Sequence, residues 1–141
     1  MIIVSSLNRK VNPMNNKLVS VDTKMAMETI MRGFVVFNEL IELQIGQVAF
    51  QSDKAERFDD LENQFDLAMG EMTDTMRNNQ PEDLTAHGCL AILLDMKKVV
   101  EINKQVADLL EFEIFNNGYQ KICEGVELVT DLIFHLESPE L

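Results

Sequence analysis

Two histidines and two cysteines, His87, Cys89, Cys123 and His135, are the residues whose types could together hold a metal ion, since two imidazoles and two thiolates make a permissible zinc set. Their spacing opposes it. Residues two apart on a helix point about 200° away from each other, so His87 and Cys89 do not face one ion, and Cys123 and His135 stand about 18 Å apart along their own axis. A di-iron bundle needs Glu-x-x-His on two helices, and neither histidine has a glutamate three residues before it. Asp83 with His87 and Asp131 with His135 fall at i, i+4 and share a face, but for the second pair a position near a helix end, where the dipole favours a charged imidazole, accounts for the spacing. The side chains of the His87-Gly88-Cys89 run diverge too far for a Cys-His nucleophile. No dinucleotide-binding glycine motif, phosphate loop or Gly-x-Ser-x-Gly elbow occurs. The expectation is a chain with no catalytic residue, no metal and no cofactor, whose two cysteines are buried thiols of a reducing compartment.

The chemistry left is that of carboxylates and thioethers. The 141 residues carry 24 acids against 12 bases, a formal net charge of -12, which is the wrong sign for gripping phosphate backbones or anionic lipid. Between residues 52 and 79 stand eight acids (Asp53, Glu56, Asp59, Asp60, Glu62, Asp66, Glu71 and Asp74) and only Lys54, Arg57 and Arg77 to balance them. Nine methionines accompany them. Flexible thioethers fill irregular core gaps and also suit adaptable binding surfaces. Met69, Met72 and Met76 make a narrow seam beside Asp59, Asp60, Glu62 and Asp66, and these seven residues are the candidate partner-binding surface.

Four helical segments must position that surface. Ser20 or Asp22 caps the first, and Met27, Ile30, Phe34, Phe37, Ile41, Ile45 and Val48 follow at helical steps. Gly33 and Gly46 interrupt this stripe, as close crossings or, for Gly46, a stop. Ser52-Asp53 opens a second segment whose apolar positions are Phe58, Leu61, Phe65, Met69, Met72 and Met76, a stripe narrow enough to leave most of the helix wet. A third runs from Pro81-Glu82-Asp83 to a stop at Asn116-Asn117-Gly118, about 50 Å at 1.5 Å per residue. Its apolar arc is wide enough to touch several neighbours and make it the centre of the bundle. The fourth repeats Tyr119, Ile122, Val126, Val129, Ile133 and Leu136 before Ser138-Pro139 ends it.

The predicted fold is therefore all-α, a single antiparallel bundle of about four helices over residues 20–141. Residues 1–19 precede it as an irregular basic arm holding Arg9, Lys10 and Lys17 and no acid. Met14-Asn15-Asn16-Lys17 resembles a bacterial translation start, which would make residues 1–13 an upstream extension. Neither a signal peptide nor a stretch long and apolar enough to span a membrane is read, so the expected location is cytoplasmic. Phe34, Val35, Val36 and Phe37 are four consecutive apolar residues that do not all face one core, which predicts a homo-oligomer, most simply a two-fold dimer.

The expected function is that of a non-enzymatic acidic interaction protein that docks on or inhibits another cytosolic protein, through helix packing and an acidic face. The rival is a nucleic-acid mimic, although one acid per roughly 5 Å of helix is sparser than the phosphates of a single strand at about 3.4 Å. A third class is a small-ligand or metal-dependent bundle enzyme built from Glu28, Glu39, Glu42, Glu101 or His87, which requires some of these to point inward.

Overall fold

The computed structural model describes residues 17–46 and 52–137. Of these, 89% are helical and none lies in a sheet. The helices are α1 (Val21–Ile45), α2 (Ser52–Arg77), α3 (Ala86–Leu109) and α4 (Asn116–Glu137), with single 3-10 turns at Pro81–Asp83 and Glu113–Phe115.

Helix α1 starts where a cap is available, since the Ser20 hydroxyl accepts from Thr23 N at 3.3 Å. It turns Met27, Ile30, Phe34, Phe37 and Ile41 into the core and stops at Gly46; Val48 lies outside the described residues. Among its described side chains, helix α2 buries Phe58, Leu61, Ala68 and Met72 and is solvated round most of its girth, as its narrow stripe predicts. Each fully buried side chain of this kind contributes roughly 1.5–3 kcal/mol relative to exposure.

The third segment is shorter at both ends than its periodicity predicts. Pro81 opens the 3-10 turn, and Thr85 is the cap, its hydroxyl accepting from Gly88 N at 3.1 Å. At the other end the helix closes seven residues before the expected Asn116. Glu111 takes a left-handed φ of 61°. Glu111 N donates to Asp108 O and Phe112 N donates to Ala107 O, the paired bonds of a Schellman stop. Asn116-Asn117-Gly118 opens α4 instead of ending α3. A Cβ on Gly118 would lie 3.3 Å from the Phe37 ring, and one on Gly125 would lie 2.6 Å from Ile30 Cδ1, so α4 crosses α1 closely at these two positions. Gly33 has nothing within 4 Å of where its Cβ would be and marks no crossing.

Contacts between residues far apart in sequence fix an up-down-up-down order. Ser20 meets Glu137, Thr75 meets Asp95 and Lys54 meets Glu111, which sets α1 against α4 and α2 against α3 in antiparallel fashion. Helices α1 and α3 run parallel, as the hydrogen bond between Asn38 and the buried Asn103 and the Leu18–Thr85 bridge require. Helix α3 packs on all three others and is the centre of the bundle. The bundle is uneven, however. Helix α1 packs on α4 and, across the core, on α3, but makes little direct contact with α2.

Of the expected N-terminal arm, residues 1–16 lie outside the described residues. Its last residues lie against the α2–α3 connection, where Val19 is buried and its N–H donates to Leu84 O at 3.0 Å.

Candidate docking surfaces

The sparse contact between α1 and α2 leaves an open cleft of about 740 Å³. Lys24, Met27, Glu28, Met31 and Arg32 line it from one face of α1, and Thr73, Met76 and Arg77 from one face of α2. Leu84 and Ile92 close its floor and are buried, as is Met27. The cleft is thus floored by carbon and sulfur and rimmed by charge. Three bases and one acid line it, in a chain whose acids outnumber its bases two to one. Arg77 is 3.1 Å from Asp74 and Arg32 is 4.0 Å from Glu28, both pairs well exposed, so water and salt keep these cations exchangeable.

A second surface lies on another face of α1. Gly33, Val36, Leu40 and Leu43 follow at steps of 3, 4 and 3 and, with Phe37, Gln44, Ile114, Phe115, Gly118 and Ile122, line a groove of about 560 Å³ that holds no charged residue. Val36, Leu40 and Leu43 are about half exposed or more, and Ile114 is 83% exposed.

The structure divides the expected partner-binding residues. Asp59, Asp60, Glu62 and Asp66 are exposed on the N-terminal and middle turns of α2. Asp60 is held by Arg57 at 2.7 Å and by Gln64 at 3.0 Å. Burial, then the charges of Asp66, Asp59 and Glu42, raise the Glu62 pKa above its usual value, so Glu42 of α1 belongs to this acidic cluster. The expected seam does not continue it as one surface. Met72 is 1% exposed and belongs to the core, Met69 packs partly buried against that core, and only Met76 opens to the cleft. From Asp66 to Met76 the helix advances about 15 Å. Of the four expected interface residues, Phe34 and Phe37 are core residues, because α3 and α4 supply the walls they pack against. Val36 lines the uncharged groove, while Val35 is exposed outside it.

The residues with catalytic or ligand chemistry are not gathered. Glu28, Glu39, Glu42 and Glu101 are all exposed. Among the described residues no group of three His, Cys, Asp or Glu side chains is placed to hold a metal ion. Cys89 and Cys123 are free thiols. Burial, with the nearby Glu137 charge adding to it, pushes the Cys89 thiol up to about 12, the behaviour of an inert core thiol. No described helix is long and apolar enough to cross a membrane.

The basic rim was not legible in the sequence, because Lys24 and Arg32 belong to one helix and Arg77 to another, and the acids around them dominate any local sum. The signal was the run Lys24, Met27, Glu28, Met31, Arg32, which spaces a second, mixed face along α1. The chain matches no protein-family model, no curated protein and no solved structure.

Proposed function

We propose that this chain is a non-enzymatic interaction protein, working in a reducing cytoplasm, that docks on another protein by taking one of its helices against the open side of the bundle. The observation that carries this reading is the methionine-lined cleft where α1 and α2 part. Two helical ridges flank an apolar floor there, which is the shape of a helix-receiving groove, and thioethers adapt to a partner's contours. In the reverse direction, the same packing would inhibit any partner whose captured helix is needed elsewhere.

Affinity capture from source cells with the tagged chain tests it. Met31→Ala with Met76→Ala should lower recovery of the specific partner, while Asp59→Asn, Asp60→Asn, Glu62→Gln and Asp66→Asn together should change it little, because desolvated contacts carry affinity and rim charges chiefly tune the on-rate. Circular dichroism checks that each variant is folded. Retention of the partner by the methionine variant would sink the reading.

The second reading, imitation of nucleic acid, is favoured by one observation: Glu42, Asp59, Glu62 and Asp66 form a like-charge cluster across two helices. It predicts the opposite order of losses, with capture falling steeply as salt rises.

Self-association belongs to the same proposal. The uncharged groove on α1 is the face on which two copies of an acidic chain meet with least repulsion.

A further inference from the structure

We propose that the occupant of the α1–α2 cleft is an acidic amphipathic helix: one with bulky apolar residues on one face and glutamates or aspartates flanking them. This rests on the docking reading above and adds the charge of the partner.

The argument starts from the bundle. In an evenly packed four-helix bundle each helix touches two neighbours along its length, whereas α1 and α2 touch little and α1 reaches across to α3. The space they leave is bounded by ridges at i, i+3, i+4, i+7 and i+8 on α1 and at i, i+3 and i+4 on α2. That geometry accepts a helix rather than a strand, because no sheet edge is present among the described residues to pair with one. Met31, Met76 and Pro81 are the part of its apolar lining that reaches the surface, so the occupant must bring apolar side chains of its own.

Charge then selects among helices. Lys24, Arg32 and Arg77 project at the rim against Glu28, and Lys24 has no ion pair among the described residues. A rim of this sign favours carboxylates, which pair with Lys24 and exchange with Glu28 and Asp74 on the two well-exposed arginines. Such complementarity discriminates between partners more than it adds affinity. The cationic rim also offsets, locally, the long-range repulsion an acidic partner meets on approaching a chain of net charge -12.

The test uses the full chain labelled at its methionine methyl groups. Two stapled helical peptides share a face of leucines at i, i+3, i+7 and i+10; one has glutamate at every flanking position and the other lysine. The glutamate peptide should shift the Met31 and Met76 methyl resonances and bind roughly tenfold tighter than the lysine peptide at low salt, the scale of a few exposed ion contacts. The exposed double variant Arg32→Glu/Arg77→Glu should reverse that order while leaving the circular dichroism unchanged. Equal or tighter binding of the lysine peptide, at the same methyl groups, would overturn the acidic preference and leave helix docking standing. If neither peptide shifts Met31 or Met76, both the preference and the docking reading fail. Shifts of the same methyl groups on raising protein concentration without peptide would overturn the proposal in favour of a second copy as the occupant.

Discussion

At the scale of single residues, burial separates side chains that periodicity makes equivalent. Met69, Met72 and Met76 repeat at 3 and 4 on one stripe, yet Met72 is sealed against α3 while Met76 reaches the cleft. Met72→Ala should cost about 2–5 kcal/mol, as buried Met-to-Ala changes do, and Met76→Ala much less, which urea titrations of the two variants will compare. The sequence supplies the stripe but not the neighbour that covers each part of it, so Met72, Phe34 and Phe37 were legible as apolar and illegible as core. Glu137 shows the same limit for polar groups. Its carboxylate is part-buried, which by itself would raise its pKa, but hydrogen bonds from the Thr23 hydroxyl and from the Ser20 hydroxyl and N–H, with the Lys17 charge, hold it below the usual value. It thereby sits at the positive end of α1 and ties α4 to it. A carboxylate with a depressed folded pKa adds stability above its unfolded pKa that is lost as pH falls through the folded one. Glu137→Gln should therefore lower stability by about 1 kcal/mol at neutral pH, and the difference from the parent chain should vanish in acid melts.

At the scale of elements, the starts of α1 and α2 were legible because Ser20 and Ser52-Asp53 stand at the head of helically spaced apolar stripes. The end of α3 was not, because its stop is set by a glutamate in the position that glycine usually fills, while Asn116-Asn117-Gly118 carries a stop signal that α4 overrides by packing Gly118 under Phe37. A left-handed glutamate costs roughly 1–2 kcal/mol, only part of which its exposed pair with Lys54 at 3.1 Å returns. Glu111→Gly should consequently raise the thermal midpoint slightly despite losing that ion pair. Glycine inside a helix has the opposite balance where nothing crowds it. Gly33 and Gly70 both face open space, so Gly33→Ala and Gly70→Ala should each stabilise the fold by about 0.5–1 kcal/mol. At Gly88 a Cβ would run into the Asn79 side chain that caps the end of α2, and Gly88→Ala should destabilise. Thermal melts of the three alanine variants test the contrast.

At the scale of the whole molecule, the antiparallel order followed from short connections, and helix number and the centrality of α3 from the apolar stripes, because arc width dictates how many neighbours a helix needs. The gap between α1 and α2 did not, since it depends on how far α1 leans across to α3, and no stripe encodes a crossing distance. On another face of α1, Val36, Leu40 and Leu43 stand outward beside Ile114. Two chains of net charge -12 repel as they approach, so the self-association proposed above needs a face where charge is absent, and the groove lined by these residues is such a place. Sedimentation equilibrium should show a dimer that tightens as salt is added, because screening weakens the repulsion and leaves apolar contact untouched. The double variant Leu40→Glu/Leu43→Glu should be monomeric and folded, since both positions are solvent-facing in the single chain. Docking of an acidic helix in the cleft should weaken with the same added salt. The two surfaces therefore respond to ionic strength with opposite sign, and a single 16 kDa species at every concentration and salt would return the α1 groove to the list of places a different protein binds.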